Sequence, residues 1–443
     1  MLLGSLSRCL VAAALPLCPW MLLPVSLSAQ SATVGSPALR LGEIYRALDS
    51  ANPRIAAAGA LARATEARIA PARRPPDPQL QFGLMNRSLP GFGLSDPLGM
   101  NQLQLMQMIP FPGKLGLAAR VASERAEAER ARSRDAAWDT RAQAAMAFYE
   151  LYQMNRSLEV ANQTFRILQD LVSTVQTMYG VGESRQADVL RAQVELARMT
   201  QDITRMETER VSAAARLNAL LVLAPTARVG SPVRPSFPDT LPPLDSLITE
   251  AERQRPMVLA AEAEVRAAQA SERSSRREIW PDFQIGVQYG WRPMDGGTDH
   301  MISLMLGLNL PVFAGSRQLA MRQEAAAMRQ MAAADLEGMR SDTRSRVAEL
   351  YAAAERARRL GMLYQGTILP QAQTTVASAL AAYRVGGVDF MTLLDDQMTV
   401  NRYRQDLYAL EAQRGQALAE LEMLLGRRLF NPDDATIASG ESR

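Results

Sequence analysis

Few side chains in this 443-residue sequence could do chemistry, and their types and spacing exclude most of it. His300 is the only histidine. It has no second histidine to share a zinc ion, and no Ser-His-Asp order surrounds it. An exposed turn or strand-start position accounts for it. The two cysteines, Cys9 and Cys18, both lie in an N-terminal leader. A chain that loses that leader has no disulfide, no thiolate nucleophile and no thiolate metal site. Nothing resembles a phosphate-binding loop or a dinucleotide glycine fingerprint. The expectation is therefore a protein that is not an enzyme, with no cofactor and no resident metal. Met106 and Met108 fall on one face of a strand-like segment. Thioethers can carry a soft metal, but methionine serves more often as flexible apolar filler. The formal net charge is +3, and Lys114 is the only lysine. Arginines alternate with acids along helical stretches, which reads as solvated helix faces and not as a nucleic-acid footprint.

The elements that must position these residues come in duplicate. Each landmark in the first half has a partner about 200 residues on, which marks a tandem repeat. Asn52-Pro53-Arg54-Ile55 answers to Arg255-Pro256-Met257-Val258, and Pro76-Asp77-Pro78 to Pro281-Asp282-Phe283. Pro110-Phe111-Pro112-Gly113 answers to Pro311-Val312-Phe313-Ala314-Gly315. Tyr179-Gly180-Val181-Gly182 answers to Tyr383-Arg384-Val385-Gly386, and Leu220-Leu221 to Leu424-Leu425. Each unit reads helix, strand, strand, very long helix, turn, long helix.

Leu117 to Met178 holds neither glycine nor proline and is rich in good helix formers. A continuous helix from Leu115 to Met178 would reach about 95 Å at 1.5 Å per residue. Leu151, Met154, Leu158, Ala161, Phe165, Leu168, Val172, Val175 and Tyr179 follow steps of three and four, the seam of a coiled coil. A second helix over Ser184 to Ala224 should return antiparallel after the glycine turn. The second unit repeats this with helices over Ser316 to Tyr383 and Asp389 to Leu425, and Pro370 should bend or shift the first of them.

Ahead of each long helix lie two strand-like segments. Phe283, Ile285, Val287, Tyr289 and Trp291 alternate with Gln284, Gly286, Gln288 and Gly290. Ile302, Leu304, Leu306, Leu308 and Leu310 do the same against Ser303, Gly307 and Asn309, and Leu80, Phe82 and Leu84 against Gln79, Gln81 and Gly83. Asn101 to Ile109 is less regular. Each segment is near the 9 to 11 residues that cross a bilayer as a tilted strand. Soluble hairpins would show the same alternation. The aromatics at a strand end fit a membrane interface. Four strands cannot close a barrel and open edges do not survive in lipid, so several chains would have to share one. Three chains give about 12 strands, within the range known for outer-membrane barrels.

The expected boundaries are a signal peptide at 1–29, a first repeat at 30–225, a linker at 226–243, a second repeat at 244–428 and a flexible tail at 429–443. Arg8, the apolar run Cys9 to Leu23 and the small residues Ser26, Ser28 and Ala29 make the leader. Pro16, Pro19 and Pro24 argue against a membrane anchor there. Cys18 could be lipidated only with small residues before it, and Pro16 and Leu17 stand there instead.

With these motifs in order, the chain resembles the TolC-type outer-membrane efflux family. The resemblance rests on Tyr179-Gly-Val-Gly-Glu183 with Asp188-Val-Leu190, on Tyr383-Arg-Val-Gly-Gly387 with Leu393-Leu-Asp395, on Ile368-Leu-Pro-Gln371 and on the Pro-Gly strand exits. It implies a tandem-repeat protomer of a trimeric 12-stranded membrane β-barrel, continued by a long α-helical coiled-coil tunnel through the periplasm. Strand residues Phe283, Ile285, Val287, Tyr289, Trp291, Ile302, Leu304 and Leu306 would face outer-membrane lipid. It implies a homotrimer that docks a periplasmic adaptor at its tips, Gly180, Val181, Gly182, Val385, Gly386 and Gly387. That adaptor would join a proton-driven inner-membrane transporter. Asp395 matches a gate aspartate, Thr392 stands where some members carry a second one, and Asp188 and Tyr383 match positions that help close the tunnel. Ile109-Pro-Phe-Pro-Gly-Lys114 looks like the heavy-metal branch, so the implied function is a passive export duct for small substrates, heavy-metal cations favoured. Drug or other small-molecule efflux, a protein-secretion conduit and a coiled-coil scaffold without a pore remain the alternatives.

Overall fold

The computed structural model describes residues 38–86, 99–294 and 297–430. The expected signal peptide with Cys18, most of the loop from Ser88 to Met100, and the tail beyond residue 430 lie outside the described residues. The chain runs β1 (Ala38–Leu39), α1 (Leu41–Ala51), α2 (Pro53–Ala67), α3 (Ile69–Ala72), β2 (Gln79–Met85), β3 (Met100–Ile109), α4 (Lys114–Gly180) and α5 (Gln186–Leu220). It continues with β4 (Ser231–Pro232), α6 (Leu244–Gln254), α7 (Pro256–Arg277), β5 (Asp282–Met294), β6 (Gly297–Asn309), α8 (Leu319–Leu363), α9 (Leu369–Arg384) and α10 (Phe390–Leu425).

The opening helix of each repeat is broken at a proline. Asn52 and Arg255 precede Pro53 and Pro256 and adopt ψ of 121° and 122°. Proline crowds the residue before it out of the helical region, so both breaks are written in the sequence. Asn52 turns the break to use. Its side chain accepts from the Arg54 N–H at 2.9 Å and donates to the Leu220 carbonyl at 2.8 Å, capping α2 and tying it to the end of α5.

α4 is 67 residues long, about 100 Å at the standard rise. It packs against α5, α7 and α10. Ala161, Thr164, Leu168, Leu171 and Val175 are its buried stripe through the lower half. Phe165 and Val172 from the expected seam are only half-buried, and Tyr179 is exposed. A helix with neighbours on two sides buries a wider arc than one coiled-coil seam, so the most protected line falls between them. In the second repeat the long helix has a five-residue π segment, Tyr364–Ile368, just before Pro370. Proline has no N–H for the carbonyl four residues back and its ring crowds that carbonyl. The expected local shift appears as this widened turn.

Residues 226–243, expected as a linker, also contribute core. Ser231 and Pro232 pair in parallel with Ala38 and Leu39. The Phe237 ring lies 6.0 Å from Tyr149 and 6.2 Å from Phe430. Leu429 and Phe430 also pack into the core formed by α6, α8 and α10. The larger sheet has strand order β2-β3-β5-β6, all antiparallel, so β2 and β6 are open edges.

Candidate functional site

The four-stranded sheet sorts its side chains by face, with Asn101 and Gln107 of β3 as polar exceptions on the apolar one. Leu80, Phe82, Leu103, Leu105, Phe283, Ile285, Val287, Tyr289 and Trp291 fall on one face, in register with Ile302, Leu304, Leu306 and Leu308. All eight strand residues picked from the sequence are on it. It is also the more exposed face: Ile302, Leu304 and Leu306 are 77%, 69% and 78% accessible. Water would not tolerate so continuous an apolar patch on a free-standing sheet. At one end Trp291 packs 6.2 Å from Phe82 and 5.6 Å from Tyr289, whose hydroxyl meets His300 Nδ1 at 2.6 Å. His300 is therefore an exposed strand residue in an aromatic cluster. Among the described residues no helix is long and apolar enough to cross a membrane.

The opposite face is built from glutamine, methionine and glycine. The row Gln81, Gln104, Gln288 and Ser303 crosses all four strands. Gln288 Nε2 donates to Gln102 Oε1 at 2.5 Å. Among the described residues only the rims carry charge on this face: Arg292 pairs with Asp299 at 3.2 Å, and Asp282 pairs with Lys114.

That second rim joins the sheet to the helices. Lys114 Nζ reaches Asp282 at 2.9 Å, Glu278 at 3.4 Å and the Trp280 carbonyl at 3.0 Å. Asp282 also accepts from the Phe111 N–H at 2.8 Å, and Phe111 stacks on Trp280 at 5.1 Å. The exit of β3 in the first repeat is thereby clamped to the entry of β5 in the second. Sequence reading singled out Lys114 as the sole lysine but gave it no role. A side chain this buried must be paired, and its partners lie more than 160 positions away.

At the far end both hairpins close in the same way. Gly182 at φ +84° and Gly386 at φ +75° donate to the carbonyls of Tyr179 and Tyr383 at 3.1 Å. The next N–H groups, of Glu183 and Gly387, reach back to Met178 and Ala382 at 2.8 Å. This is the Schellman closure, and glycine alone takes its left-handed position without strain. Gly180 ends α4, and Val181 and Val385 stand out at 69% and 83% accessible. The six tip residues thus lie on two bare turns.

The four residues expected near a gate divide. Tyr383 is buried against Phe390, 5.9 Å away, and faces Ser184 and Asp188 of the other hairpin. Burial raises the affinity of its phenol for the proton. The Ser184 hydroxyl opposes that shift, and the Asp188 carboxylate adds to it. Neither the Tyr383 nor the Ser184 hydroxyl completes a hydrogen bond among the described residues. The structure therefore brings Tyr383 and Asp188 together but leaves Asp395 apart, exposed on α10. Thr392 belongs to the helix start: its N–H donates to Asp389 at 3.0 Å, and its hydroxyl bonds the same carboxylate. Sequence reading started this helix at Asp389 without giving it a role, and Asp is a preferred residue at a helix start. It missed Glu422, buried on α10, whose carboxylate accepts from the Leu429 N–H at 2.7 Å. Burial pushes its carboxyl up to about 7, and the Leu429 and Phe430 N–H groups oppose that shift.

Comparison with known proteins agrees with this architecture. The family described as outer membrane efflux protein matches residues 44–222 and 247–427, one stretch per repeat. The pyoverdine export outer membrane protein OpmQ of Pseudomonas putida is 25% identical over 396 residues, covering 84% of this chain and 82% of that one. A membrane protein from Pseudomonas aeruginosa superposes with a TM-score of 0.76 at 22% identity, over 87% of this chain and 93% of that one. The outer-membrane channel OprN superposes with a TM-score of 0.76 at 18% identity, over 87% and 89%. At those identities the two structures establish the fold alone. The duplicated match over both repeats establishes more: the chain belongs to the outer membrane efflux protein family.

Proposed function

We propose that three copies of this chain form a passive export duct. Their sheets close into a barrel of about 12 strands in the outer membrane, and their hairpins form the periplasmic tunnel. The two-faced sheet with open edges at β2 and β6 carries this reading. An apolar outer face needs lipid, and in lipid every edge must be paired. The exposed turns at 180–182 and 385–387 dock a periplasmic adaptor, which joins a proton-driven inner-membrane transporter. The gate lies at the same end. Tyr383 packs there on Phe390 and faces Ser184 and Asp188 of the first hairpin, and three Asp395 carboxylates face the axis and draw cations in. Thr392 contributes by fixing the first turn of α10. Heavy-metal cations are the favoured cargo, supported by the Ile109–Lys114 segment and the methionines of the sheet.

The relative from Pseudomonas putida, named for pyoverdine export, supports a second cargo: an organic chelator of that size. Deleting the gene separates the two. Sensitivity to copper or silver salts supports the first, and retention of a siderophore inside the cell supports the second. The duct itself is tested at the tips. Gly182→Val and Gly386→Val strain a left-handed backbone position at a cost of about 1 kcal/mol or more each. Adaptor cross-linking and export should fall while trimer yield holds. Unchanged cross-linking in both variants would remove the turns as the contact.

A further inference from the structure

We propose that Met106, Met108 and Met305 form a thioether site for a soft monovalent cation, Cu(I) or Ag(I), on the sheet face that the barrel turns inward. The inference rests on the duct reading, because only a closed barrel makes that face a lumen. Met106, Gly286 and Met305 are direct cross-strand neighbours on β3, β5 and β6. A Cβ on Gly286 would stand 3.3 Å from Met106 Cγ and 3.5 Å from Met305 Cε. The missing side chain leaves a gap into which two thioether arms lean from opposite strands. Met108 follows on the same face of β3, about 7 Å along the strand.

Two features favour a ligand role over filling. Methionine as filler is enclosed by other apolar side chains. Here Met106, Met108 and Met305 are only partly buried, and the row beside them is the amide band of Gln81, Gln104 and Gln288. Among the described residues the face also carries no ionised side chain between its two rims, so these offer nothing that would hold a hard cation by charge. Calcium and magnesium demand oxygen ligands, whereas thioethers select soft ions. Amide carbonyls alongside can solvate a cation in transit, and neutral thioethers bind without trapping it by charge. Symmetry would repeat the cluster three times around the lumen.

The test is conductance of the purified trimer in planar bilayers, in potassium nitrate to avoid chloride, with Ag(I) nitrate titrated in. Ag(I) should reduce the current. In the Met106→Leu/Met305→Leu double variant the half-blocking concentration should rise by at least about tenfold, a scale that even outer-shell losses reach at metal sites. Met305→Leu alone should fall between, and it serves if the double variant assembles poorly. Calcium at the same concentrations should act equally on all three proteins. If the proteins conduct but Ag(I) acts equally on all of them, the ion binds elsewhere and the site is overturned while the duct stands. If none conducts, the duct reading falls and the site falls with it.

Discussion

The second helices of the two hairpins, α5 and α10, are duplicates in unequal surroundings. They are 35 and 36 residues long and follow identical turns. The offset that carries Gly182 onto Gly386 also carries Leu221 onto Leu425. It places Leu190 on Leu394, Val194 on Met398 and Val211 on Gly415. On α10, which packs against both α4 and α8, Leu394 is 4% accessible and Gly415 is buried beneath the Tyr149 ring. On α5, which packs on α4, the equivalents Leu190, Val194 and Val211 are 54%, 52% and 61% accessible. One chain supplies a cover for the second copy and none for the first. The α8–α9 helix of an adjacent chain, by the logic of the duplication, is what should lie against α5. Assembly is thus implied by an inequality inside one protomer, independently of the strands.

Breaking that inequality gives the largest expected effect. Val194→Asp/Val211→Asp places two charges on the bare edge of α5, where a lone chain would tolerate them. The variant should keep its helical circular dichroism and lose the trimer entirely, since burying unpaired carboxylates costs several kcal/mol. A normal trimer yield would mean that α5 is not an interface. The reverse substitution probes the covered side. A Cβ on Gly415 would lie 2.4 Å from the Tyr149 ring. Gly415→Leu should destabilise the protomer by about 3 kcal/mol, the upper range for overpacking, while Val211→Leu should change it by under about 0.5 kcal/mol. Chemical denaturation of the Val194→Asp single variant, in which position 211 is still valine, reads both.

A smaller effect separates the repeats by pH. Asn218 and Glu422 occupy equivalent buried positions, and each ties down the segment after its helix. Asn218 Nδ2 donates to the Ala227 carbonyl at 2.9 Å, and Glu422 accepts from Leu429 at 2.7 Å. Only the second titrates. Its folded carboxyl holds a proton up to about 7 against an ordinary value of 4.5. Folding therefore takes up a proton between those values, and stability falls as pH rises through that window. Glu422→Gln should remove the dependence and stabilise the protein at pH 8 by up to about 3 kcal/mol, with little change at pH 4. Parallel loss of stability with rising pH in wild type and variant would show that another group governs it.

Much of this was written locally in the sequence. The glycine turns, the proline breaks and the alternating strands each follow from the chemistry of a few adjacent residues, and the structure has all of them. What the sequence left open depends on which element covers which. Tyr179 and Tyr383 sit in near-identical turns, yet one is 48% accessible and the other 6%. The displaced stripe at Thr164 and Leu171 needed knowledge of two neighbours. Thr164 donates to Asn401 at 3.1 Å across a buried helix contact that no local pattern signals. Lys114 and Glu422 were invisible as sites for the same reason, because their partners come from distant segments or from backbone.

The decisive measurement is the native mass of the protein extracted from outer membranes in mild detergent. A species of about three chains is expected, the number that closes four strands each into a barrel of known size. The Val194→Asp/Val211→Asp variant should run as a single folded chain beside it. A wild-type protein that appears in the water-soluble fraction as a stable monomer, with its apolar strand face uncovered, would contradict the account.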